Sequence, residues 1–506
     1  MDAKAPQAHA QHASPPDRLT FRTKFLYGFG SISFGVHVSV LSLLLFFYNQ
    51  VVGLSANLVS LALAATLVID AAWDPIVGQI SDRLRTPWGR RHPLMYLSAL
   101  PVALTMIGLW RPPAGLDEIG QTAWLFVFCL AARLVISLYE VPSQALAPEL
   151  SPDYHERTGL LGYRWVFFTL GGAAATMMGY FIFFRPTAQY PQGQLNPAAW
   201  GPMTLTATAM MFVSILVSAA GTHDRIPSLH RPPERKQPFG EMMRDVLATL
   251  KNWNLGVALT ASLLGGIGYG MYLGLALYID TFFWGLNASG VGLLQLANLL
   301  AVFPGAFVAT ALSRRFGKKA TCIGIFMTSM VLLQGPILAR LLGAFPDNGT
   351  AAFLPTLIGI RFVWAILNNA AYIVVTSMVA DITEDAQAKT GLRAEGLLMA
   401  SNAFILKVTS GFSALLPGVM LSFVHFPAKA TAVPPEVVRH LAWVYLPATT
   451  SVSVLSICTW LLYRIDEKTH QANLASVREA QQAVAVAQAE SRAEAEGEAA
   501  PIQALG

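Results

Sequence analysis

The chain of 506 residues is 54% hydrophobic and only 12% charged, with a mean hydropathy of +0.49. A soluble domain carries about 25% charge, so an ordinary water-soluble enzyme, a disordered chain and a nucleic-acid binder are all excluded. The formal net charge of +5 acquires meaning only once it is placed along the chain, and Cys129, Cys322 and Cys458 sit in apolar runs without metal-ligand spacing.

Residues 1–24 are polar and lack the apolar core of a cleaved signal peptide, which predicts a cytoplasmic N-terminus. Twelve apolar segments follow, each near the ~20 residues that cross a bilayer as a helix. They run over 25–48, 56–80, 93–110, 122–147, 160–184, 200–220, 255–284, 290–312, 320–340, 353–380, 397–424 and 441–463. Long continuous runs specify helices; barrel strands would alternate. Of 34 Lys and Arg residues, 25 fall on the N-terminal side of this zigzag, five on the other side and four within the spans. That bias places both termini in the cytoplasm of an inner, plasma membrane. The basic excess then holds the protein against the lipid bilayer and does not mark a nucleic-acid site.

The expected fold is an all-α membrane protein of twelve helices in two pseudo-symmetric bundles, 25–220 and 255–463. A cytoplasmic loop, 221–254, joins them, and a cytoplasmic tail, 464–506, follows. Part of the loop, 239–251, reads as an amphipathic surface helix. The halves echo each other: GRR at 89–91 and GKK at 317–319 each follow a segment. Glu149, Asp153, Arg157, Thr158, Gly159 and Leu160 recur at identical spacing as Asp381, Asp385, Lys389, Thr390, Gly391 and Leu392. Six-helix repeats of this kind mark secondary transporters, with the solute between the halves. No filter motif suggests a channel, and no Walker loop suggests a pump.

Charges within the spans point to function, because each costs on the order of 2.5–3.5 kcal/mol at the bilayer centre. His37, in the first segment, reads as a packing residue. In the second segment Asp70 and Asp74 lie four residues apart, on one helical face. Two such carboxylates out of water repel each other, and a proton or a sodium ion between them removes the penalty. They form a candidate coupling-cation site; simple pairing with a basic residue is the alternative. Lys407 lies at about the same depth, ~15 Å from the cytoplasmic end of its segment, and its expected role is counter-charge. Past the second segment, Asp82, Arg83, Arg90 and Arg91 suit a gate in which the carboxylate bonds a helix N-terminus and the arginines reach neighbouring helix ends. Arg133 and Glu140, seven apart in the fourth segment, together with Arg164 in the fifth, suit either a polar solute or a structural ion-pair network. Asp280 and Arg361 read as structural or gate-lining.

GxxxDR followed by GRR resembles the loop motif of the major facilitator superfamily. More narrowly, DAAWDPIVGQISDRLRTPWGRRHP at 70–93 resembles the signature of glycoside–pentoside–hexuronide:cation symporters, of which melibiose permease is the type. KFLYGFGS, YEVPSQALAP, ERTGLLGYR and MVADITED fit the same pattern in order, over roughly 24–465. The resemblance implies a major facilitator fold and transport coupled to H⁺, Na⁺ or Li⁺. By position it assigns Asp70, Asp74 and Ser137 to the cation, with Lys407 beside them. It assigns Glu140, Arg164 and the aromatic Tyr372 to the solute.

Three positions depart from the pattern. Gly35 stands where melibiose permease has a sugar-binding Asp, and Gln144 stands at an aromatic position. Trp73 replaces an oxygen donor of sodium-coupled members, which favours protons. The expected function is therefore H⁺-coupled symport of a glycoside-like or other small polar solute by alternating access. The protein is expected to be a monomer, with no enzymatic activity and no cofactor beyond the coupling ion. The rival within the same architecture is a lysophospholipid transporter; a non-transporting receptor would not need the midplane Asp–Lys set.

Overall fold

A computed structural model of the protein describes residues 19–229, 253–390, 395–430, 432–465 and 471, without the side chains of 154 and 383–407. The expected surface helix at 239–251, nearly all of the tail and the Lys407 side chain lie outside the described residues. The described chain is helical throughout: α1 (Phe21–Val52), α2 (Ala56–Arg83), α3 (His92–Leu109), α4 (Glu118–Leu150), α5 (His155–Phe183) and α6 (Pro197–Gly221). The second half holds α7 (Trp253–Phe283), α8 (Ala288–Leu300), α9 (Val302–Phe316), α10 (Lys318–Leu341), α11 (Phe353–Thr390), α12 (Glu395–Phe423) and α13 (Pro435–Leu461). Among the described residues ten helices are long and apolar enough to cross a membrane, or eleven if α8 and α9 form one span. The described apolar part of α12, Val408–Phe423, is shorter than a crossing. This is an integral membrane protein.

Local chemistry sets the helix ends. Asp117, Asp153, Asn196 and Asn287 each accept a hydrogen bond from a backbone N–H in the first turn of the helix that follows. Gly53 closes α1 at φ +105°, a conformation that costs glycine little. Two kinds of irregularity interrupt the smooth helices. The α8–α9 segment bends by 43° at Ala301. The helices α1, α5 and α7 end in π-turns at Phe47–Val52, Gly179–Phe183 and Ile279–Phe283. Apolar periodicity cannot register either feature, because it does not record which carbonyl each N–H meets.

Small residues decide how closely the helices approach. Within the first half, α1 packs on α5 and α6, and α4 packs on α2 and α3. Gly35 of α1 lies so near the backbone of Phe168 and Gly172 in α5 that a Cβ would collide with the Phe168 carbonyl. In the second half α7 packs on α12 and α13, while α11 packs on α8, α9 and α10. Helix α2 meets α12 across the halves.

A set of hydrogen bonds between the halves gathers at one end. Tyr278 Oη donates to Asn49 Oδ1 (2.9 Å), and Gln194 Nε2 donates to Thr281 Oγ1 (3.0 Å) and Leu286 O (3.1 Å). Ala288 N donates to Gln192 O (2.8 Å), and Lys429 N donates to Asn49 O (3.0 Å). Gly418 of α12 fits against Ala56 and Ser60 of α2 there, with no room for a Cβ.

Gly418→Val is therefore expected to wedge this end open. In a Cys458→Ser background, where only buried cysteines remain, Lys429→Cys should then react faster with a maleimide. Equal labelling rates with and without the valine would mean that this contact does not hold the halves together.

Candidate functional site

The helix α2 carries Asp70 and Asp74 one turn apart near its middle, both half-buried. Pro75 follows within the helix and removes the N–H that the Ala71 carbonyl would otherwise meet. A backbone oxygen is thus left between the two carboxylates along the chain. Ser137 of α4 donates its hydroxyl to Asp74 Oδ1 at 2.7 Å. Trp73 Nε1 donates to the Leu134 carbonyl at 2.9 Å. The tryptophan therefore bolts α2 to α4 directly beside the carboxylate pair.

One turn along α4 from Ser137 lies Glu140, which is buried. Its Oε1 accepts from Arg164 Nη2 at 2.5 Å and from Gln144 Nε2 at 2.8 Å. Arg164 also donates to Ser143 Oγ at 2.6 Å, and its guanidinium lies 5.5 Å from the ring centre of Tyr27. Tyr27 Oη in turn donates to the Ser143 carbonyl at 2.9 Å. Glu140 Oε2 is buried and has no hydrogen-bond partner among the described residues. The carboxylate thus keeps one acceptor for which the described residues supply no donor.

The sequence-predicted residues sort into separate groups. Asp74 with Ser137, and Glu140 with Gln144 and Arg164, share one stretch of α4. Arg133 does not join Glu140 among the described ion pairs; it is half-buried, and its Nε has no partner. Tyr372, on α11, is 66% exposed and stands apart from both groups.

The gate residues differ from the expectation. Asp82 lies inside the last turn of α2 and bonds no helix N-terminus. Its Oδ1 meets Arg91 Nη2 at 2.6 Å, with the aspartate side chain 59% exposed. The buried hub is Glu149, at the end of α4. It accepts from Arg91 Nε at 2.8 Å and from Arg90 Nη2 at 2.9 Å, while Arg91 Nη1 donates to Ser81 Oγ. Arg83 is exposed, with no ion pair among the described residues. The reason is steric: α2 runs on to residue 83, so Asp82 is committed to helix geometry and faces the loop arginine. In the second half Lys318 meets Asp381 at 2.6 Å, a parallel use of the repeated acid.

A further buried pair was legible only as two isolated charges. Arg361 of α11 donates to Asp280 Oδ1 at 3.0 Å and to Tyr272 Oη at 2.8 Å, both partners lying on α7. Beside it, a cavity of about 300 Å³ opens between the halves. Its amides were missed altogether. The signal existed in Gln295 and Asn298, three apart, and in the Asn368–Asn369 pair, all four polar within apolar segments.

Helices of this length around a polar interior, in two halves that close at one end, define a membrane transporter of the major facilitator class. The chain belongs to the family described as MFS/sugar transport protein, which it matches over residues 26–467. An uncharacterized symporter of Synechocystis sp. is 30% identical over 276 residues. That match covers 53% of this chain and 49% of the relative, so the chain spans about half of that relative's length. The isoprimeverose transporter of Lactiplantibacillus pentosus is 22% identical over 91% of this chain and 94% of its own. Among solved structures, a bacterial homolog of the human lysosomal transporter Spinster has the same fold, with a TM-score of 0.61 and 14% identity. It covers 90% of this chain and 97% of its own.

The Arg164–Glu140 pair supplies a stability test. Arg164→Met alone strands a buried carboxylate and is expected to cost about 3–5 kcal/mol. Arg164→Met with Glu140→Leu should cost much less. Thermal or denaturant unfolding of the purified protein in detergent reads the double-mutant cycle. A coupling near zero would mean that the pair is not desolvated.

Proposed function

We propose that the protein is a cation-coupled symporter of a small, polar, sugar-like solute, working by alternating access. The observation that carries this reading is the α4 turn on which Ser137 bonds Asp74 and Glu140 bonds Arg164. A cation site and a solute site one turn apart on the same helix share its position and tilt. Symporter relatives and the sugar-transport family support the class of solute.

In this reading the coupling ion is a proton. Asp70 and Asp74 take it up, and Trp73, an indole where an oxygen donor would suit sodium, weighs against Na⁺. Uptake removes the repulsion between the carboxylates and loosens their attraction for Lys407 of the other half. The hydroxyl of Ser137 transmits the change to α4. Glu140, with its spare Oε2, then receives a solute hydroxyl, with Arg164 and Gln144 holding the carboxylate in place. Glu149, Arg90, Arg91 and Asp82 tie loop 84–91 to the ends of α2 and α4, so that the first half moves as a body. Both termini face the cytoplasm, and the closed end faces outwards.

Proteoliposomes test this directly. Wild-type protein should accumulate a neutral sugar under an imposed pH gradient and not under a sodium gradient alone. Neutralising Asp70 and Asp74 together, as Asn, should abolish that accumulation while the protein still inserts and stays monodisperse. Concentration of solute by the double variant would remove the carboxylates from coupling, and drive by sodium alone would replace the proton. Counterflow of lysophospholipid in place of sugar would move the protein to the lipid class.

A second outcome concerns Lys407. Lys407→Ala should block net accumulation at the step of ion release yet preserve solute exchange. The pH profile of solute binding should also differ from that of the wild type. Coincident profiles would disconnect Lys407 from the carboxylates.

A further inference from the structure

The cavity beside Arg361 has the chemistry of a binding site, and neither the cation site nor the Glu140 site uses it. Its volume, about 300 Å³, lies at the lower end of the range for small-molecule pockets. One wall comes from the second half: Tyr269, Tyr272 and Asp280 of α7, Gln295 and Asn298 of α8, and Trp364 with Asn368 and Asn369 of α11. The opposite wall is a lid from the first half, formed by Ser42, Phe46 and Tyr180.

Two backbone irregularities frame it. Asp280 stands in the π-turn Ile279–Phe283, and π-turns concentrate at functional sites. Val302, also on the wall, begins α9 directly after the 43° bend. Interrupted helices near the bilayer midplane are where transporters place solute sites.

The polar groups select the ligand. Asn298 Nδ2 donates to Gln295 Oε1 at 3.1 Å, while Asn298 Oδ1 is buried without a partner among the described residues. A buried amide oxygen left unpaired is costly, and a ligand hydroxyl would satisfy it. Among the described residues, the positive charge beside the cavity is that of Arg361, which is already matched by Asp280 at 3.0 Å. Among the described residues an anionic head would find no uncommitted cation there, and an acyl chain would leave Asn298 Oδ1 unpaired. Amides offer both donors and acceptors, as a hydroxyl-rich ring requires. Tyr269, Tyr272 and Trp364 add aromatic surface for the C–H face of such a ring.

We infer that this cavity is a second solute subsite, in the second half of the transporter, that takes one neutral polyhydroxylated ring of monosaccharide size. The inference rests on the solute-transport reading above and names its substrate class. Its lid belongs to the closed end, so parting of the halves there exposes the ring site first. Asn368 and Tyr372 are four apart on α11, so the ring site and the region around Tyr372 lie along one face of that helix. A solute passing from the closed end towards Glu140 meets the amides before it meets the carboxylate.

Calorimetric titration of the purified full chain tests this, with methyl β-glucoside and xylose as neutral probes, and with glucuronate and lysophosphatidylcholine as the charged and lipid arms. The expected result is binding of a neutral probe, weakened about tenfold or more by Asn298→Ala with Asn368→Ala. Should that double variant unfold, maleimide labelling replaces it: Leu273, exposed on the cavity wall, is changed to Cys in the Cys458→Ser protein. The neutral probe should slow labelling there. Equal affinity in the double variant, or labelling that the probe does not slow, would place the ring elsewhere and overturn this subsite, while gradient-driven sugar uptake would still stand. Binding of glucuronate or lysophospholipid alone would overturn the neutral class. Failure of the folded wild type to bind any neutral ring would do the same.

Discussion

One constraint governs the buried charges among the described residues: a charge held among apolar helices is costly unless it meets its opposite on a neighbouring element. Arg164 meets Glu140, and Arg361 meets Asp280. Arg91 meets Glu149 where loop 84–91 returns to the helix ends. Each pair joins two elements of the same half. These pairs stiffen each half internally, while the described contacts at the closed end are weaker, neutral hydrogen bonds. That division of labour suits two bodies that must rock against each other without deforming.

Glycine and serine complete the arrangement. Close approach of α1 to α5 at Gly35 leaves no room for a side chain there and tightens the first half. At the closed end Gly418 lets α12 lie on α2. Neutral donors such as Tyr278 and Gln194 then link the halves there. Such bonds exchange readily with water when the halves part, whereas a buried ion pair at the same place would resist opening.

The fold was legible because its cause is compositional. Long apolar runs in a chain with 12% charge can do little but cross a bilayer as helices. The site was legible in part, and for the same reason: an aspartate at position 70 or a glutamate at 140 is conspicuous among leucines. Position in the chain also showed that Asp70 and Asp74 share a face. Amides were less conspicuous than charges, so Gln295, Asn298, Asn368 and Asn369 passed unnoticed, although together they line one cavity.

Sequence alone determined the helical class and the family, since apolar length and motif spacing are local properties of the chain. Tertiary structure decided the pairings. Asp82 turned to Arg91 because α2 extends through it, and Glu149 became the buried hub. Arg133 stayed apart from Glu140, although both lie on α4, because the partner that mattered came from α5. Asp280 and Arg361, 81 residues apart, became one unit with Tyr272. Which charge meets which depends on helix crossings, bends and closeness set by glycine, and these are fixed only when the helices pack.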